Sequence, residues 1–169
     1  MKFDHHFGVT ANVNAPAEQV FNFADDPAHL ASHMNKKSWM MGNGMMEMTV
    51  DDAGGKAVGS VISLAGKAFG IRMSLEEAVT ERVPPLRKVW ETLSEPHILV
   101  VGSYRMGFEV SDADSGSSFR VFIDYTRPTK GVGRIIGWLL GKWYAKWCTQ
   151  RMLKDTVKHF AASTAVPAR

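Results

Sequence analysis

Between Gly131 and Ala162 the chain has no proline and carries Trp138, Trp143, Tyr144 and Trp147 among spaced leucines and lysines. The stretch reads as one long helix, and a helix this apolar must be covered by something. At about 100° per residue, Ile136, Leu139, Leu140, Trp143 and Trp147 fall on one face, while Leu153, Val157 and Phe160 fall on a face rotated from it. The apolar stripe therefore shifts near Cys148. One half of the helix is expected to seal a sheet as ordinary core. The tryptophan-rich half is expected to meet a ligand cavity, a partner or a lipid surface, with sheet curvature as the plain alternative.

What precedes the helix supplies the cover. Phe3, His5, Phe7, Val9, Ala11 and Val13 alternate with polar residues, the period of a half-buried strand. Pro16 then opens a short helix with Val20, Phe21 and Phe23 inside, stopped by Asp25, Asp26 and Pro27, and a second short helix is expected from Ala28 to about Met34. Met46, Met48 and Val50 begin a hairpin whose turn is Asp51, Asp52, Gly54 and Gly55. Strands follow at about Ala57–Leu64, Phe69–Arg82, Leu86–Leu93, Ile98–Val110 and Ser118–Thr126. The order is strand, two helices, six strands, long helix. Short connections between consecutive strands imply an antiparallel sheet, hence an α+β fold in which a curved sheet grips the last helix and encloses a pocket. Residues 1–162 are expected to form a single domain, followed by a frayed tail, 163–169.

Composition narrows the class. With 45% hydrophobic and 22% charged residues the 169-residue chain is globular rather than disordered. One cysteine, Cys148, excludes an internal disulfide and suits a reducing compartment, and its place on the helix makes it a packing residue. The opening MKFDHHFGVTANV alternates like a strand and lacks the pattern of a secretory signal, so a cytoplasmic location is expected. Arg134, Lys142 and Lys146 interrupt the best candidate for a spanning segment. The net charge is +3, but from Lys130 onward eight basic residues face one acid, Asp155, giving +7 against −4 for the rest. The basic helix is expected to answer first to the acidic body of its own fold and second to a membrane. Nucleic acid is not expected as a partner, since no motif for it accompanies the charge. The sequence sets no oligomeric state.

Three stretches resemble a known family: NAPAEQVFNFADDPAHLASHM, the strands YRMGFEV and FRVFIDYTRP, and the helix GRIIGWLLGKWYAKWCTQRMLKDTVKHF. Together they are similar to the START and polyketide cyclase/dehydrase superfamily over nearly the full length. The resemblance implies the helix-grip fold, a seven-stranded antiparallel sheet wrapped around a C-terminal helix and a hydrophobic cavity. It spans lipid carriers, quinone-binding proteins, polyketide cyclases and receptors, so it implies a cavity better than a reaction.

Strand parity proposes the lining without the family. Tyr104, Met106, Phe108 and Val110 share a face, as do Phe69, Ile71, Met73 and Leu75, and Met46, Met48 and Val50 form a third row. Methionine adapts its shape, so its abundance suits either a flexible apolar guest or an irregular core. The segment from Met34 to Met48, with Trp39, reads as a lid. The expected ligand-binding set is Met34, Trp39, Met46, Met48, Met73, Tyr104, Met106, Phe108, Leu140, Trp143 and Trp147.

No catalytic residue, metal or cofactor is assigned. His29 and His33 have helical metal spacing but lack a third ligand, and Asp25 and Asp26 read as cap and turn residues before Pro27. Tyr104 has the parity for cavity chemistry and His33 the reach to its mouth, whereas Arg120 and Asp124 lie on the less apolar face of their strand. Gly133, Gly137 and Gly141 at four-residue spacing permit close approach of a partner, a membrane segment or the chain's own sheet. The function read from the sequence is binding, transport or sensing of a hydrophobic small molecule. A cyclase or dehydratase using the same cavity is the alternative, and a membrane- or protein-interaction module the second.

Overall fold

The computed structural model describes residues 3–31, 45–68, 71–94, 96–98, 100–129 and 131–164. Strand β1 (His5–Val13) leads into helices α1 (Ala17–Asp25) and α2 (Pro27–Leu30), then β2 (Met45–Val50), β3 (Val61–Ala68), β4 (Ile71–Val83), β5 (Arg87–Thr92), β6 (Tyr104–Ala113) and β7 (Gly116–Tyr125), and ends in α3 (Gly131–Thr164). The seven strands form one antiparallel sheet in the order β1-β7-β6-β5-β4-β3-β2. Strands β2 to β7 are joined to their sequence neighbours, while β1 crosses the molecule to pair with β7, His5 opposite Tyr125 and Val13 opposite Ser117. This is the expected helix-grip architecture.

Two strands begin later than their apolar runs suggest. The segment 57–60 forms a turn before β3, and β6 starts at Tyr104 rather than Ile98, with Val100 lying against Gly137 and Gly141 of α3. The hairpin turn between β2 and β3 lies where the glycines predict it. Gly55 has φ 72°, and a Cβ there would stand 2.6 Å from the Pro27 ring, so both conformation and space require glycine. The expected end of the second helix and residues 34–44 of the lid expected from Met34 to Met48 lie outside the described residues, while its last four residues are a correction, since they belong to β2.

The core lies between the concave side of the sheet and the helices. Phe21 of α1 meets Phe108 at 5.4 Å between ring centroids, and Phe108 meets Phe119 at 5.7 Å. Helix α3 crosses β1 and β7 and closes on α2 near its C-terminal end. Its buried face is Gly137, Gly141, Ala145, Cys148, Thr149, Met152, Thr156 and Phe160, residues that are mostly small. Gly137 and Gly141 let the backbone come so close to Val100 that an added Cβ would sit 3.2 and 2.9 Å from its carbonyl oxygen. The glycine stripe therefore serves the chain's own packing. The bulky stripe of Leu139, Leu140 and Trp143 points the other way, into solvent.

Candidate functional site

The concave face encloses a cavity of about 80 Å³. The sheet supplies Leu64, Leu75, Glu77, Trp90, Tyr104 and Met106, α2 supplies Pro27 and Leu30, and α3 supplies Tyr144, Cys148 and Met152. The register explains which side chains meet. Glu77 stands opposite Thr92, whose Oγ1 accepts from the Tyr104 backbone N–H at 3.2 Å, so Glu77, Thr92 and Tyr104 form one row across three strands. The next row is Val79, Trp90, Met106 and Ile123. Space for a few waters is too little for a guest of drug size, so a larger ligand would require Met48, Met106 and Met152 to move, which their unbranched stems allow.

Within this mostly apolar wall Glu77 stands apart chemically. Its side chain is buried, the Tyr104 hydroxyl donates to Oε1, and the Trp90 indole N–H donates as well. Among the described residues it has no ion pair. Burial pushes its carboxyl up to about 7, against the smaller opposing pull of the Tyr104 and Trp90 hydrogen bonds. Burial, and then the Glu77 charge, raises the Tyr104 phenol well above its ordinary value. Burial also pushes the Cys148 thiol up to about 12, so it is an inert packing residue beside Tyr144 rather than a nucleophile. At neutral pH the Glu77 carboxyl can both give and take a proton, and with Tyr104 it offers a donor–acceptor pair to a hydroxyl or carbonyl.

A second polar cluster borders the cavity without opening into it as chemistry. Lys88 lies on the wall, but its Nζ is held 2.9 Å from Asp25 Oδ1 and 2.6 Å from the Asp25 carbonyl oxygen. Arg82 Nη2 reaches the other Asp25 oxygen at 2.8 Å. Burial works to raise the Asp25 carboxyl, but the hydrogen bonds and charges of Arg82 and Lys88 hold it below the ordinary carboxylate range. Asp26, by contrast, is the cap read from the sequence, accepting from Ala28 N at 2.9 Å. Asp124 and Arg120 lie on the convex face, Asp124 paired to His6 at 2.5 Å and Arg105 at 2.8 Å, and Arg120 to Glu109 at 2.8 Å.

Of the residues expected to line the cavity, Met48, Tyr104 and Met106 do so. Met46 and Phe108 are core behind the wall, and Met73 is half-buried, bordering a shallow groove with Arg72 and His97. Leu140 and Trp143 are corrections. They are 46% and 49% exposed, because the glycine face rather than the bulky face of α3 turns to the sheet. Trp147 is half-buried with its ring 5.9 Å from that of Tyr144, and it is Tyr144 that reaches the cavity. Met34, Trp39 and His33 lie outside the described residues. His29 Nδ1 lies 2.8 Å from the Phe23 carbonyl oxygen and its ring stacks on Phe23. Among the described residues no group of three or more potential metal ligands converges. Glu77 itself was missed, although it continues the inward row of Ile71, Met73 and Leu75 by one more step of two.

Solved structures share this arrangement at low sequence identity. TTHA0849 from Thermus thermophilus is 16% identical, with a TM-score of 0.64, over 95% of this chain and 100% of that one. Protein CV1439 from Chromobacterium violaceum is 17% identical, with a TM-score of 0.61, over 92% and 96%. Ginseng major latex-like protein 151 from Panax ginseng is 13% identical, with a TM-score of 0.59, over 94% and 99%. These likenesses concern the fold. No curated protein matches the sequence. The model of the family described as polyketide cyclase / dehydrase and lipid transport matches residues 4–163, and with the sheet, helix and cavity above, the chain belongs to that family.

Proposed function

We propose that the protein binds a hydrophobic small molecule carrying one hydroxyl or carbonyl group, which Glu77 and Tyr104 orient inside the cavity. The observation that carries this reading is a buried carboxyl that has no ion pair among the described residues, set in a mostly apolar wall. Such a group costs stability, and a fold that needed only a core would fill the position with an aliphatic side chain. The family's range, from cyclases to lipid transport, supports an apolar guest of this kind. Native mass spectrometry of the protein after incubation with cell extract, followed by titration with the captured molecule, tests it. The captured molecule should be apolar with an oxygen function, and Glu77→Leu should weaken it by about tenfold or more while leaving a pure hydrocarbon probe unaffected. Equal loss for both ligands, or no apolar molecule captured, would sink the reading.

The same carboxyl favours a second reading, a cyclase or dehydratase. A Glu77 carboxylate would take the proton α to a substrate carbonyl, and the resulting acid would return it to a departing β-hydroxyl as water. An acid titrating near neutrality suits both halves of that exchange. Turnover of a β-hydroxy ketone that Glu77→Gln abolishes while its binding persists would establish it. Binding without turnover in the unaltered protein would leave the carrier reading alone.

A further inference from the structure

The first half of α3 presents to solvent what a helix normally hides. Ile135 and Trp138 are each 65% exposed, Leu139 61% and Trp143 49%, on the side away from Gly137 and Gly141. Lys142 and Lys146 run along the same side, one and two turns beyond Leu139, and Arg134 is exposed at its N-terminal edge. No acidic residue occurs in the helix before Asp155. A second, independent feature adjoins the patch. Arg127 and Arg134, with Ile135 and Trp138, line a groove shared with Asp4 and His5, and among the described residues the buried Arg127 Nε has no hydrogen-bond partner.

We propose that this face docks on an anionic lipid bilayer, with Trp138, Leu139, Ile135 and Trp143 in the interface and the lysines and arginines at the headgroups. The chemistry selects the occupant. Tryptophan favours the bilayer interface, where one side of the ring is apolar and the indole N–H is wet. Each basic side chain near an anionic surface adds about 1 kcal/mol of attraction. The groove brings the Arg127 and Arg134 side chains beside Trp138, a setting that suits a lipid phosphate. A second copy of the chain fits poorly, since a symmetric contact would set Lys142 and Lys146 against their own counterparts. The proposal does not depend on what fills the cavity.

Vesicle flotation with the full chain tests it, using phosphatidylcholine with and without about 30 mol % phosphatidylserine at about 50 mM salt. Expected is binding to the anionic vesicles at least about tenfold tighter than to the neutral ones, weakening as salt rises. Trp138→Ala/Trp143→Ala and Lys142→Gln/Lys146→Gln should each lower it by about tenfold or more. Circular dichroism should show both variants melting like the parent, because the altered side chains are exposed. Absence of flotation at low salt, equal binding to neutral vesicles, or undiminished binding by the tryptophan variant would overturn the proposal. So would a dimer in sedimentation equilibrium that the tryptophan variant dissociates, which would give the face to a second copy. A variant that loses vesicle binding but keeps cavity-probe binding separates this surface from the site of the proposed function.

Discussion

Asp25 and Glu77 are both withdrawn from water, 3% and 6% exposed, yet their surroundings are opposite. Asp25 ends α1 and is met by two cations, Arg82 from β4 and Lys88 from β5, so its charge is neutralised where it forms. It fastens the first helix to the sheet. Among the described residues Glu77 is met by neutral donors alone, and burial moves its titration to about 7. The difference separates a carboxylate that holds a structure together from a carboxyl that, on the reading proposed above, is kept for a guest. A paired buried charge is costly to break, whereas an unpaired one is costly to keep.

The sharpest way to break this contrast is to remove the paired acid. Asp25→Ala would leave the Lys88 ammonium buried without its counterion and should cost about 3–5 kcal/mol, read by urea unfolding near neutral pH. Asp25→Ala/Lys88→Met should recover much of that loss, because no charge is then stranded. Since the folded-state pKa of Asp25 is depressed, its contribution is present above the unfolded value and fades as pH falls through the folded one. A single variant that unfolds no more easily than the parent would remove the fastening role.

Glu77→Gln should act in the opposite direction. The carboxyl has its pKa raised from 4.5 to about 7, so the parent protein is favoured by this group below the unfolded value and loses that advantage as pH rises through the folded one. The loss between those limits approaches about 3 kcal/mol. The amide, which does not ionise, should therefore be more stable than the parent at about pH 8 by up to that amount and similar near pH 4, in parallel urea titrations. A variant that gains stability and loses discrimination between oxygenated and plain ligands would carry the mark of a functional position. Equal pH dependence in both proteins would show that Glu77 titrates normally.

The succession of strands along the chain and the terminal helix are legible in the sequence because period-2 rows and a proline-free amphipathic run are local signals, whereas the pairing of β1 with β7 is not. The facing of that helix is not. Hydrophobic periodicity selects the bulky Leu139, Leu140 and Trp143 as the buried side, whereas close packing selects Gly137, Gly141 and Ala145, and only the tertiary contact with Val100 decides between them. Asp25 reads as turn chemistry before Pro27 because its partners, Arg82 and Lys88, lie far along the chain. Glu77 hides for a related reason. It stands beside Glu76, and an acidic pair suggests solvent, although strict alternation from Leu75 to Val79 puts Glu77 inside and leaves Glu76 outside. Tyr104, found by parity alone, is its partner.

That partnership yields the smallest and most specific test of the contrast. The Tyr104 hydroxyl is a donor to Glu77, and donors favour the ionised form of a carboxyl, so it opposes the upward push of burial. Tyr104→Phe deletes this donor with little change in shape, at a stability cost of about 1 kcal/mol. The Glu77 titration, followed by carbon NMR of the labelled side-chain carboxyl, should then move above its parent value of about 7. Nothing comparable should happen to the Asp25 signal, which answers to Arg82 and Lys88. A downward or absent shift at Glu77 would mean that water replaces the phenol in the cavity, and that the carboxyl is less isolated from solvent than its neighbours make it.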